Sequence, residues 1–291
     1  MKRIGLVIKM SNPEAVRLGC EVSEWLVRSG AEACVDESTG ALITPARQIG
    51  PDDLPGLIDA MVVLGGDGMM LSAARLINGR KVPILGINMG GLGFLTASTV
   101  TELYPLLERL LSGDYTIEER MMLCVSLTRD GETTSTHKVL NDAVIKGGNG
   151  RLARLETRIN KQYVTTYRAD GLIVATPTGS TAYSLSANGP ILYPTIDSII
   201  VAPICPFNLT NRPVVIPDWM TVDITVSPEQ SSLQLILDGQ VDIYLGSGDR
   251  IDIKRADTSV YLVKYEGKSY FDILRERLMW EVKTVRNPKG A

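Results

Sequence analysis

Met61-Val62-Val63-Leu64-Gly65-Gly66-Asp67-Gly68 is an apolar run entering a glycine-rich loop, and an apolar helix pattern, Met69 to Ile77, follows at once. A short run with no polar member suits a strand buried on both faces of a parallel sheet. Glycines on both sides of Asp67 let the backbone turn sharply and let a bulky group approach closely. The loop then falls at the carboxyl end of a strand, where open α/β sheets bind ligands. The helix behind it offers unpaired N–H groups to an anion. An acidic residue in such a loop opposes an anionic ligand and needs a reason. Asp67 can accept a proton from an attacking hydroxyl or hold a magnesium ion. An ordinary tight turn with a helix-capping aspartate is the competing reading.

Working outward, Ile4 to Ile8 and Val82 to Ile87 are further strand candidates, and Thr101 to Leu111 is a further helix candidate. Asn12-Pro13 marks a helix start, with asparagine as cap and proline in the first turn. Ala15, Leu18, Val22, Trp25 and Leu26 recur behind it at helical spacing, up to Gly30. Strand, helix, strand, helix with short connections predicts a parallel sheet with right-handed crossovers. Past about residue 120 the pattern changes. Met220, Val222, Ile224 and Val226 alternate with polar residues, as do Leu233, Leu235 and Leu237, which end in the hairpin pair Asp238-Gly239. Leu155 to Asn160, Ile251 to Ile253 and Val260 to Val263 are also strand-like, and helical spacing returns only at Phe271 to Trp280. The chain divides into an α/β domain at 1–120, a β-rich domain at 121–265 and a C-terminal segment at 266–291.

Its 291 residues are 44% hydrophobic and 22% charged, enough for a real core, with a net charge of −3. Lysine and arginine are scattered, so no electrostatic footprint for nucleic acid stands out. The opening MKRIGLVIKM reaches Ser11, Asn12 and Pro13 too soon for a signal-peptide core. No stretch approaches the roughly 18 apolar residues of a membrane span. A cytoplasmic protein without a membrane partner is expected. Cys20, Cys34, Cys124 and Cys205 have no metal-ligand spacing and read as buried, reduced thiols. With His137 as the one histidine, a zinc or Cys–His catalytic centre has no material.

Two further segments carry chemistry. Thr176-Pro177-Thr178-Gly179-Ser180-Thr181-Ala182-Tyr183-Ser184 follows the apolar run Gly171 to Ala175. Hydroxyls packed round a glycine at a strand's end suit phosphate oxygens and ribose hydroxyls, and Tyr183 could cover an adenine. Such loops are also common in β proteins. Asn141-Asp142 is a polar pair in a strand-like stretch that could hold both hydroxyls of a ribose, or form a turn. Gly148-Asn149-Gly150-Arg151-Leu152-Ala153 matches the form of a dinucleotide fingerprint, with Asp170 downstream. That fingerprint needs a helix after the glycines, whereas this stretch continues as a strand, so it reads as a hairpin loop.

Taken together, the chain resembles the NAD kinase family. The Gly-Gly-Asp-Gly tetrad alone is shared with phosphofructokinases and diacylglycerol kinases. The ordered set narrows the choice: Ile87 to Leu95 (INMGGLGFL), Leu140-Asn141-Asp142, Arg168-Ala169-Asp170-Gly171, TPTGSTAYSLSANGP at 176–190, PICPFNLTNRPVVIP at 203–217 and LDGQ at 237–240. The resemblance implies a Rossmann-like parallel α/β domain, an all-β second domain and a last segment packing back on the first. It implies transfer of the γ-phosphoryl group of ATP to the 2′-hydroxyl of the adenosine ribose of NAD. Asp67 would then be the proton acceptor, with Gly65, Gly66 and Gly68 shaping the loop. Asn141 and Asp142 would hold the ribose, and Asp170, with Arg168 near it, would meet the nicotinamide end. Thr178, Gly179 and Ser180 would stand in the nucleotide pocket. Thr181, Ala182, Tyr183, Ser184, Leu185 and Ser186 would contact adenine and ribose, and Gln240 would complete the site. Mg²⁺ would arrive on the ATP phosphates, with no dedicated protein ligand, and a homodimer or homotetramer is expected. Two positions depart from the family pattern: Met69, where Thr or Asn is frequent, and Asp142, where Glu is usual. The rivals are a lipid or sugar kinase built on the same tetrad, an NAD-dependent dehydrogenase, and a non-catalytic NAD sensor.

Overall fold

The computed structural model describes residues 2–40, 42–91, 93–96, 98–148, 152–228, 233–265 and 268–280. The first part runs β1 (Arg3–Ile8), α1 (Pro13–Arg28), β2 (Glu32–Asp36), α2 (Glu37–Gly40), β3 (Arg47–Ile49), α3 (Leu54–Leu57), β4 (Ala60–Leu64), α4 (Asp67–Ile77), β5 (Pro83–Asn88), β6 (Ser98–Thr99) and α5 (Leu103–Ser112). All five residues of β4 are buried, as its unbroken apolar run requires. Asn12 Oδ1 accepts the Glu14 N–H at 3.0 Å and Pro13 opens α1, so the capping signal works as read. The predicted helix at 101–111 begins as a 3₁₀ turn, Val100–Glu102, before α5, and the Thr99–Glu102 capping box sets that entry. Strands β5, β4, β1, β2 and β3 lie parallel in that order, with apolar clusters on both faces.

The second part runs β7 (Thr116–Arg129), β8 (Glu132–Val139), β9 (Asp142–Gly147), β10 (Ala153–Ile159), β11 (Gln162–Ala169), β12 (Gly171–Ala175), α6 (Tyr183–Ser186), β13 (Ser198–Ile204), β14 (Val214–Pro217), β15 (Val222–Val226), β16 (Leu233–Leu237), β17 (Val241–Leu245) and β18 (Arg250–Lys264), then α7 (Tyr270–Leu278). A six-stranded antiparallel sheet, β14-β13-β12-β9-β16-β17, packs its apolar face on the sheet that holds β7, β10, β15 and β18. The alternating leucines of β16 and the Val222, Ile224 and Val226 side chains of β15 fill that interface. The strand β10 starts at Ala153, so no helix follows the glycines at 148–150; residues 149–151 of that stretch lie outside the described residues.

The two parts share one sheet. The segments Ile251–Ile253 and Val260–Val263 are one strand, β18, with a break in register between Arg255 and Ser259. A β-bulge bends the strand there, and its far end, Tyr261 and Leu262, pairs in parallel with Pro83 and Ile84 of β5. The division at residue 120 falls inside β7. Helix α7 touches both parts: the Tyr270 hydroxyl donates to Leu192 O at 3.2 Å, and the Arg277 guanidinium lies 5.7 Å from the Phe94 ring centre. Residues 281–291 lie outside the described residues. Among the described residues no helix is long and apolar enough to cross a membrane.

The thiols differ from expectation. Cys34 is buried, and burial pushes its thiol up to about 11. Cys20 and Cys124 are half-buried, whereas Cys205 is exposed, because it stands just past the end of β13 at φ +44°.

Candidate active site

Asp67 is the first residue of α4, directly past β4 and its two glycines. A negative side chain there complements the positive end of the helix. Four donors hold its carboxylate. Oδ2 accepts the Phe94 N–H at 2.8 Å, and Oδ1 accepts the Leu95 and Thr96 N–H groups at 3.0 and 3.2 Å and the Thr96 hydroxyl at 3.2 Å. Buried Asn88 donates to Thr96 Oγ1 at 2.7 Å and fixes that residue in turn. Gly93 is required, since a Cβ there would overlap Asp67 Oδ1 and Thr96 Oγ1. A carboxylate has about four lone-pair positions. Three donors converge on Oδ1, and among the described residues one reaches Oδ2, so Oδ2 keeps room for an incoming hydroxyl.

Pairing brings the other motifs to one end of the six-stranded sheet. Asp142 opposes Ala175 across β9 and β12, and Ala143 opposes Leu237 across β9 and β16. The start of β9, the end of β12 and the β16–β17 turn are therefore neighbours. Thr176 N–H donates to Asn141 O at 2.9 Å, and its hydroxyl to Leu140 O at 2.6 Å. Gly179 lies so close to the Asn141 carbonyl that a Cβ would overlap it. Asp142 is buried, and burial, then the nearby Asp238 carboxylate, pushes its carboxyl up to about 7. Burial also raises Asp238, against the pull of three backbone N–H donors and Arg75.

Thr178, Gly179 and Ser180 are buried; Ser180 Oγ donates to Pro177 O at 2.6 Å and accepts from Leu192 N at 3.1 Å. Ser184 is buried as well. Thr181, Ala182 and Leu185 are half-buried, and Tyr183 and Ser186 are exposed. The face available to a ligand is thus the 181–186 half of the segment, while the 176–180 half bonds within the fold. Arg168 and Asp170 are exposed, with the Arg168 guanidinium 5.0 Å from the Phe207 ring centre. Among the described residues, neither hydrogen-bonds to the Asp67 loop or to Asn141-Asp142. Behind the Phe94-Leu95 segment lies a cavity of about 420 Å³ between β5, α5, β18 and α7. Its Arg120, Glu118 and Lys264 are already paired with one another, and Arg120 reaches Thr178 Oγ1 at 3.3 Å, so this cavity braces the loops from behind.

Gln240 ties the two parts together: Nε2 donates to Gly68 O at 2.7 Å, while Oε1 accepts from Ser72 at 3.2 Å and from Arg75. Sequence reasoning missed four residues here, Asp238, Thr96, Ser72 and Arg75. The signal for Asp238 was present, an acid closing the leucine alternation of β16, but it also fits a hairpin turn, which it forms, with φ +51° at Asp238 and +63° at Gly239.

Residues 4–115 match the family described as ATP-NAD kinase N-terminal domain, and residues 140–265 match ATP-NAD kinase C-terminal domain. The chain is 47% identical over 281 residues to an NAD kinase of Geotalea daltonii, covering 96% of this chain and 99% of the relative. An NAD kinase of Geobacter sulfurreducens is 46% identical over the same length and with the same coverage. The fold is similar to the crystal structure of yeast NADH kinase complexed with NADH, at TM-score 0.86 and 24% identity, over 100% of this chain and 90% of that one. It is also similar to an Archaeoglobus fulgidus NAD kinase in complex with ATP, at TM-score 0.72 and 24% identity, over 95% and 96%. Built from a carboxylate-bearing glycine loop on one part and three facing turns on the other, and matched along nearly its whole length, the chain belongs to the ATP-NAD kinase family.

Proposed function

We propose that the protein transfers the γ-phosphoryl group of ATP to the 2′-hydroxyl of the adenosine ribose of NAD, with Asp67 Oδ2 as proton acceptor. One observation carries the assignment of Asp67: its carboxylate is gripped on three sides yet keeps an unused position on Oδ2, in a glycine loop tied by Gln240 to the Asn141-Asp142 end of the second sheet. A ribose hydroxyl is too weak an acid to ionise beforehand. As its oxygen bonds to the γ-phosphorus and the bond to the β-phosphate oxygen breaks, its proton passes to Asp67, leaving NADP and ADP. Phosphoryl transfer passes through a loose transition state, so alignment and charge stabilisation supply most of the catalysis. Gly66, Asp67 and Gly68 stand where a helix start has no intrahelical partner for its N–H groups, which suits a phosphate.

Asn141 and Asp142 hold the ribose in this reading, Tyr183 and its neighbours through Ser186 flank the adenosine, and Arg168 and Asp170 serve the nicotinamide end. Among the described residues no group of three or more His, Cys, Asp or Glu side chains could hold a metal, and Asp67 Oδ1 is occupied by donors. In this reading the divalent cation, Mg²⁺, enters on the ATP phosphates as part of the substrate. The cytoplasm is the proposed location. The surface proposed for self-association as a dimer or tetramer is β14, the edge of the six-stranded sheet, where Val214 and Val215 are exposed, together with the segment before it, where Phe207 and Leu209 are exposed. Incubating pure protein with ATP, Mg²⁺ and NAD and coupling to an NADP-specific dehydrogenase tests the assignment. NADP formation supports it; none under conditions where a lipid or sugar acceptor is phosphorylated would replace it with the rival kinase.

A further inference from the structure

The LDGQ turn does more than reverse the chain between β16 and β17. Asp238 projects back under the start of β9 and accepts three consecutive backbone N–H groups: Leu140 at 2.9 Å on Oδ2, Asn141 at 2.7 Å and Asp142 at 3.1 Å on Oδ1. Its own N–H donates to Asp142 O at 3.0 Å, so the contact is reciprocal. This is the arrangement found at Asp67, where three consecutive N–H groups, from Phe94 to Thr96, also converge on one carboxylate. Each part of the molecule therefore uses an aspartate to fix a loop at the candidate site. Two residues after Asp238, Gln240 bonds to Gly68 O and to Ser72 and Arg75 of α4. One four-residue turn thus grips the Asn141-Asp142 backbone with one side chain and the Asp67 helix with another.

We propose that Asp238 is a positioning residue for the reaction, setting Asn141 and Asp142 to receive the acceptor ribose, while Gln240 sets that receiver at a fixed separation from Asp67. The proposal rests on the reading that Asn141 and Asp142 hold the ribose. Buried carboxylates are costly unless well paired, and Asp238 stands beside a second one, Asp142. Among the described residues, His137 and Lys138 of β8 line the same cavity as Asp238 and Arg75. Arg75 on α4 acts on Asp238, the 176–181 loop brings only hydroxyls, and Arg120 meets that loop on its far side through Thr178. The Asp238 charge therefore bears directly on the protonation of Asp142 as well as on its backbone.

The test is steady-state kinetics of three variants across pH 5.5–8.5, with melting temperatures recorded beside them. Asp238→Asn removes a charged acceptor from three N–H groups, and the NAD KM should rise about 10- to 100-fold, with kcat changed by less than about threefold. The pH midpoint of the NAD KM should also move down, because burial alone, without the Asp238 charge that adds to it, then raises Asp142; a merely structural loss would not move it. Gln240→Met, at an exposed side chain, should keep the melting temperature and lower kcat about tenfold or more. Asn141→Ala reports on the underlying reading and should raise the NAD KM. If it does so while Asp238→Asn leaves both the NAD KM and the pH midpoint unchanged, Asp238 has no positioning role. If Asp238→Asn does not fold, an unchanged kcat in Gln240→Met overturns the proposal by itself. An unchanged NAD KM in Asn141→Ala removes the ribose assignment, and this proposal with it.

Discussion

At Asp142 the protein keeps a carboxyl group in surroundings that resist its charge. Its pKa is pushed from 3.8 up to about 7 by burial and by Asp238. Between those values the unfolded chain holds fewer protons at this group than the folded one, so its contribution to stability falls as pH rises from about 4 to about 7 and is flat above. The whole effect is on the order of 4 kcal/mol. Asp142→Asn should therefore raise the melting temperature more at pH 8 than at pH 5, while weakening NAD binding. Equal shifts at the two pH values, in thermal melts followed by circular dichroism, would remove the burial argument. Asp67 could be singled out in the sequence because glycines flank it at a strand's end, a local signal. Its four donors could not, because they come from Phe94 to Thr96, a separate loop brought over by the pairing of β4 with β5. Asp238 was hidden for a different reason. Periodicity describes the backbone of a turn and is silent on where the side chain of its first residue goes.

Among the elements, the loop at 93–96 is the part that turns a helix-start aspartate into a held acceptor. Gly93→Ala would drive a methyl group into Asp67 Oδ1 and Thr96 Oγ1. Turnover should fall about 10²-fold, the order of effect expected for an ångström-scale misplacement. NAD affinity should be spared, since Asn141 and Asp142 belong to the other sheet; a loss confined to NAD binding in titration calorimetry would show that the loop serves the acceptor instead. The buried parallel strands and the alternating antiparallel ones could be read from the sequence because period two and unbroken apolar runs mark burial directly. The bulged strand β18 read as two strands, because the run from Lys254 to Ser259, polar except for Ala256, interrupts the pattern without ending the strand. The hydroxyls of 176–181 suited either ligand contacts or an ordinary loop of a β protein, and Thr176 and Ser180 are occupied in joining loops of the fold.

For the whole molecule, the shared sheet makes the two parts a single frame, and β18 and Gln240 are two of the ties that set the separation of Asp67 from the facing turns. The exposed edge at β14 is the proposed surface for self-association. Val215→Lys combined with Leu209→Asp should lower the sedimentation coefficient to that of a monomer; an unchanged assembly would place the interface elsewhere. The separation of Asp67 from the facing turns matters because of the proton transfer proposed at Asp67. Single-turnover phosphorylation of NAD by Asp67→Asn, with NAD affinity measured separately, tests it most directly. NAD affinity should stay within about threefold of the parent while the rate falls by at least about 10² to 10⁴; a near-parental rate would show that Asp67 is not the proton acceptor.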